Sequence, residues 1–149
     1  MHETTTTGTT RRGVGARVGT ALAGAALGAA ALLALATPQT AAAATTQVGA
    51  MPDLSFGLAT NYGDTCHYTL QANVTDAWAP VTFYDNGAPI GTVRPGGAYA
   101  LIGWVPAYKG HHTLTAIQAG QPAEMPVAWL DLPVGTGVPI GFGCVVVGG

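Results

Sequence analysis

Charge is scarce in this chain. Five Lys and Arg and seven Asp and Glu make up only 8% of its 149 residues. So few cations leave no basic footprint for nucleic acid and no polybasic patch to hold anionic lipid. Serine is scarcer still. Ser55 is the single one, and no Gly-x-Ser-x-Gly elbow surrounds it, which removes the usual serine-hydrolase nucleophile. Cysteine is limited to Cys66 and Cys144. If these pair, one connectivity is possible and no thiolate nucleophile remains. No stretch carries a long helical period; short runs of period-two alternation stand in its place. The low charge does not signal disorder, because aromatic and β-branched residues are plentiful.

The first forty-odd residues read as a leader. Arg11, Arg12 and Arg17 give a positive start, Val18 to Ala36 is almost all Ala, Leu and Gly, and Thr40-Ala41-Ala42-Ala43-Ala44 supplies small residues for cleavage after Ala42 or Ala44. A retained membrane helix is the alternative, since the stretch is about long enough to span. Its weak hydrophobicity and the cleavage pattern that follows favour a cleaved signal peptide. Arg11-Arg12 raises the twin-arginine route, but the next residues, Gly13-Val14-Gly15-Ala16, lack the Phe-Leu-Lys that completes that motif, which favours general secretion. Either route leads out of the cytoplasm. The expected division is a leader over 1–44, a β-sandwich over 45–132 and a Gly/Val-rich tail over 133–149. The 105 residues left after Ala44 suit one domain with one core. There, Arg94 and Lys109 stand against Asp53, Asp64, Asp76, Asp85, Glu124 and Asp131, a balance of −4. The mature form is expected to be monomeric, without cofactor or metal, and not to span a membrane.

From Cys66 to Val74, alternate residues Cys66, Tyr68, Leu70, Ala72 and Val74 face one way and His67, Thr69, Gln71 and Asn73 the other, as in an antiparallel strand with one buried face. Val81 and Phe83 point inward in the next strand, which reverses at Asp85-Asn86-Gly87, where Asn-Gly tolerates positive φ. Ile90 to Arg94 returns and Pro95-Gly96-Gly97 turns again. Ala100, Ile102 and Trp104 form the inward set of a strand stopped by Pro106, and Met125 to Leu132 supplies the last strand. With one strand before Tyr62 and a further one between Pro106 and Met125, this makes about seven short strands. Cys66 begins its strand at the end of the sandwich where the last strand finishes. Cys144 follows Leu132 by twelve residues, within chain reach, so a Cys66–Cys144 disulfide would tie the tail back across that end.

The run Val81-Thr82-Phe83-Tyr84-Asp85-Asn86-Gly87-Ala88-Pro89-Ile90-Gly91, then Trp104-Val105-Pro106, then Gly110-His111-His112-Thr113-Leu114-Thr115-Ala116, resembles the bacterial immunoglobulin-like domains of surface and secreted proteins. It covers about half of the mature chain; residues 133–149 lie beyond the family pattern. The resemblance implies an all-β, immunoglobulin-like antiparallel sandwich with Phe83, Ile102, Trp104 and Leu114 in the core and His112, Leu114 and Ala116 on one face. It makes His112 a structural side chain. It also implies a secreted or envelope-associated, non-catalytic module in interaction or adhesion with an extracellular protein or cell-surface component. A small-ligand carrier or a protease inhibitor is the alternative, and an enzyme the third.

Other motifs carry less. His111 and His112 are strand neighbours and point to opposite faces, so they cannot chelate together. Asp64, Asp76, Asp85 and Asp131 lack the clustering of a calcium site, and Asp85-Asn86 is explained by its turn. Leu132-Pro133-Val134-Gly135-Thr136-Gly137 has one residue too many for a sortase signal, and Asn73-Val74-Thr75 is a sequon lying in a strand. The binding candidates are loop residues. Trp78 and Arg94 would lie at one end of the sandwich with Glu124, and Tyr108 and Lys109 at the other. For Trp78 the plainer reading is a lid over the core.

Overall fold

The computed structural model describes residues 41–149, so the leader read over 1–44 lies, save its last four residues, outside the described residues. Every regular element described is a strand: β1 (Thr45–Met51), β2 (Ser55–Gly57), β3 (Tyr68–Val74), β4 (Val81–Asp85), β5 (Ala88–Val93), β6 (Tyr99–Trp104), β7 (Gly110–Gln118), β8 (Ala128–Val134), β9 (Thr136–Ile140) and β10 (Gly143–Val147). Among the described residues, no helix is long and apolar enough to cross a membrane.

Two sheets face each other, β1-β3-β6 and β5-β4-β7-β8, with every neighbouring pair antiparallel. Alternation dictates what lies between them. Leu70 and Ala72 from β3, Ala100 from β6, Val81 and Phe83 from β4, and Leu114 and Ala116 from β7 are all completely buried, and Trp104 nearly so. Ile102 is partly buried and packs against this cluster. The strand order is that of an immunoglobulin-like sandwich. Strand β5 stays beside β4 because the turn between them is tight. Asn86 and Gly87 both have positive φ, 47° and 81°, the two-residue hairpin geometry whose twist suits antiparallel strands. The last of these strands begins at Ala128, three residues later than the sequence reading, and runs on to Val134.

The described residues form ten strands where the sequence suggested about seven, and the chief surprise is residues 133–149. They are not a loose tail. Strands β9 and β10 form an antiparallel hairpin, and β10 adds parallel to β2, making a third sheet of order β2-β10-β9. Period two explains this segment too: Cys144 and Val146 are buried while Val145 and Val147 are exposed. The Cys66–Cys144 disulfide, with Cα atoms 6.1 Å apart, joins it to the segment just before β3, which begins at Tyr68 and not at Cys66 as the alternation suggested. Glycine permits the close approach, since a Cβ on Gly137 would run into the Asp64 carbonyl oxygen and the Cys66 sulfur. The Gly137 N–H instead donates to Asp64 Oδ1 at 2.7 Å. Nearby, Tyr62 donates to the Ala50 carbonyl at 2.8 Å. Burial, then Tyr68 and Asp53, raise its phenol above the ordinary value.

Candidate functional site

The loop from β3 to β4 is built around Asp76. Its Oδ1 accepts from the backbone N–H of Trp78 at 2.7 Å and of Ala79 at 3.3 Å, an Asx-type turn. Beneath it lies Gln118, the last residue of β7 and fully buried. Its Nε2 donates to the Asp76 carbonyl at 2.6 Å and the Ala79 carbonyl at 2.9 Å, while Oε1 accepts from the Asp76 N–H at 3.4 Å. One buried amide thus ties down both ends of the four-residue turn. Its pattern neighbours on β7, His112, Leu114 and Ala116, made position 118 an inward one, but nothing local marked its amide as the clamp.

The turn sends Trp78 outward, and 81% of its surface is exposed. The expectation that Trp78 lids the core is therefore corrected: Gln118 lies beneath this turn, and the Asx geometry aims residue 78 at solvent. Arg94 Nη1 lies 3.5 Å from the Trp78 carbonyl oxygen, which sets a cation beside the exposed indole-bearing loop. Glu124 is exposed on the β7–β8 loop at the same end.

At the opposite end, Tyr108 and Lys109 are exposed on the loop between β6 and β7. Tyr108 is committed to the scaffold. Its ring stacks on His112 at 4.4 Å, and its hydroxyl accepts from Asn86 Nδ2 at 2.5 Å. His112 is completely buried. Its Nδ1 lies 2.7 Å and 2.8 Å from the two Asp85 carboxylate oxygens, and its Nε2 lies 2.9 Å from the Tyr108 carbonyl oxygen. Trp104 Nε1 donates to Asp85 Oδ2 at 3.0 Å. Asp85 is therefore more than a turn residue: it accepts from two buried rings, a role that its place beside Asn86-Gly87 concealed. A groove of about 400 Å³ runs past Asp85, Pro89, Ile90, Trp104 and Tyr108.

Neither nitrogen of His112 is left for a ligand or a substrate, and His111 projects to the other face of β7, exposed. Among the described residues, no three His, Cys, Asp or Glu side chains come together as a metal site. Of the four loop candidates, Trp78 and Arg94 share one end and Tyr108 and Lys109 the other. Trp78 is more exposed than Tyr108 and sits on a turn fixed from below.

No protein family matches the chain, and no curated protein does. Two solved structures are similar to it in part. One is the solution NMR structure of the CARDB domain of PF1109 from Pyrococcus furiosus, 16% identical, covering 59% of this chain and 92% of that one, with a TM-score of 0.37. The other is the crystal structure of the same domain in complex with di-metal ions, 19% identical, covering 64% of this chain and 96% of that one, with a TM-score of 0.37. The likeness is loose, and the fold assignment rests on the strand order of this chain itself.

Proposed function

We propose that this protein is a secreted, non-catalytic immunoglobulin-like module that binds a protein or other cell-surface component through the loop carrying Trp78. The observation that carries the reading is an exposed aromatic on a turn fixed from below by a buried glutamine. Rigid aromatic anchors lose little conformational entropy on binding, and they dominate interface energetics. The disulfide suits an oxidising compartment and agrees with the leader read from the sequence. A carrier fits less well, because Leu70, Phe83 and Leu114 fill the space between the two facing sheets. A protease inhibitor would also need a rigid exposed loop, and inhibition assays against secreted proteases separate it from an adhesion module.

Capture of partners from the envelope and secreted material of the producing cells tests the proposal. Trp78→Ala is expected to weaken capture by roughly tenfold or more, the scale of a hot-spot aromatic. Its thermal midpoint should stay within about 2 °C of the parent, because the side chain is already in solvent. Gln71→Ala, on the outward face of β3, should change neither. Undiminished capture by the Trp78→Ala protein would contradict the proposal.

A further inference from the structure

We infer that the outer face of the β2-β10-β9 sheet is a contact surface for a second copy of this chain. This surface is distinct from the Trp78 loop, and the inference replaces the monomer expected from sequence. Pairing fixes which residues share the face. Val145 of β10 is opposite Phe56 of β2 on one side and Val138 of β9 on the other, and these three form an apolar row across the sheet. Val147 and Ile140 lie on the same face by alternation, and Leu58 follows two residues after Phe56. All six are exposed, Phe56 by 62% and Leu58 fully.

Monomeric proteins rarely leave such continuous apolar patches in water. From their exposed fractions the six side chains offer on the order of 700 Å², close to the roughly 800 Å² that each partner contributes to a standard interface. A shallow apolar hollow of about 420 Å³ borders the face between Phe56–Ala59 and Val145–Gly148, room for a side chain from the other copy.

Charge also favours a second copy. No charged residue occurs in β2, β9 or β10. Two acidic molecules can therefore meet here without placing like charges opposite one another, and the face offers no charged group to select a different partner. The sheet edges do not invite strand addition. Pro139 has no N–H to donate from β9, the Gly137 N–H is already taken by Asp64, and the Gly57 N–H of β2 donates to Asn61 Oδ1 at 3.1 Å. With both edges partly occupied, face-to-face packing of two sheets is the association left open.

Sedimentation of the full chain over a concentration series up to about 100 µM, where even weak dimers are populated, tests the inference. The parent should approach the dimer mass at the top of the series and return to monomer on dilution. Val145→Lys and, separately, Val138→Lys should stay monomeric throughout. Trp129→Lys, on the exposed face of the other sheet, should dimerise like the parent. Resistance of the Cys66–Cys144 bond to dithiothreitol without denaturant, read as the absence of thiols that iodoacetamide can alkylate afterwards, checks that each variant is folded, and two independent substitutions guard against one that is not. A parent that is monomeric at every concentration would overturn the inference. So would a dimer that survives both lysines, which would place association in the leader or on another face. A monomeric parent that co-sediments with zwitterionic vesicles would instead assign the face to lipid.

Discussion

A Cys66→Ala/Cys144→Ala protein is expected to melt about 20 °C below the parent. The disulfide closes a separation of 78 residues, and loop-closure entropy for a ring of that size stabilises the folded state by about 4 kcal/mol. For a domain of this length each kcal/mol moves the melting temperature by roughly 4–8 °C. The native bond also joins the third sheet to the segment just before β3, so its loss should release β9 and β10 first. Calorimetry of the parent, the reduced parent and the double variant checks the magnitude. Hydrogen exchange checks the order, with amides of residues 136–147 losing protection before those of β4 and β7. A midpoint shift below a few degrees would mean that the hairpin is held by its strand pairing and the bridge adds little.

Trp104→Ala should cost about 3–5 kcal/mol, the range for deleting a large aromatic from a packed core. Two contributions add. The ring is 97% buried, being 3% exposed, and packs between Tyr68, at 5.7 Å, and His112, at 5.6 Å between ring centroids. Its Nε1–H also donates to Asp85, so removal strips a donor from a carboxylate that is itself mostly buried. Trp104→Phe separates the two, keeping most of the ring and losing the donor, and should cost about 2 kcal/mol. Trp78→Ala should cost under about 0.5 kcal/mol, the usual scale for an exposed site. Equal losses at Trp78 and Trp104, read from denaturant midpoints, would contradict the assignment of one to the surface and the other to the core.

Strands β3, β4, β6 and β7 were legible because each alternates, and β5, which does not, because it follows the Asn86-Gly87 turn. Pairing of the two cysteines was legible from their number. The hairpin at 136–147 was not, although Cys144 to Val147 alternates, because eleven residues rich in Gly and Pro read as a tail until a partner strand is known. That partner, Ser55–Gly57, is three residues long and lies about ninety residues away in sequence, and local patterning carries no signal for such a pairing. The lid expected at Trp78 failed for a related reason. Asp76 two residues before Trp78 is the local sign of an Asx turn, but the partner that fixes it, Gln118, comes from a strand 42 residues away. The Asp85 network was hidden in the same manner: its acceptor ends β4 beside the Asn86-Gly87 turn, while its donors, Trp104 and His112, come from two other strands.

Backbone ¹⁵N relaxation at residues 76–79, in the parent and in Gln118→Leu, tests most directly whether the Trp78 loop is a fixed presentation surface. Order parameters near about 0.85 are expected in the parent, the value of rigid backbone, falling below about 0.6 when leucine replaces the amide that ties the turn down. Low order parameters in the parent, or values that do not respond to Gln118→Leu, would contradict it.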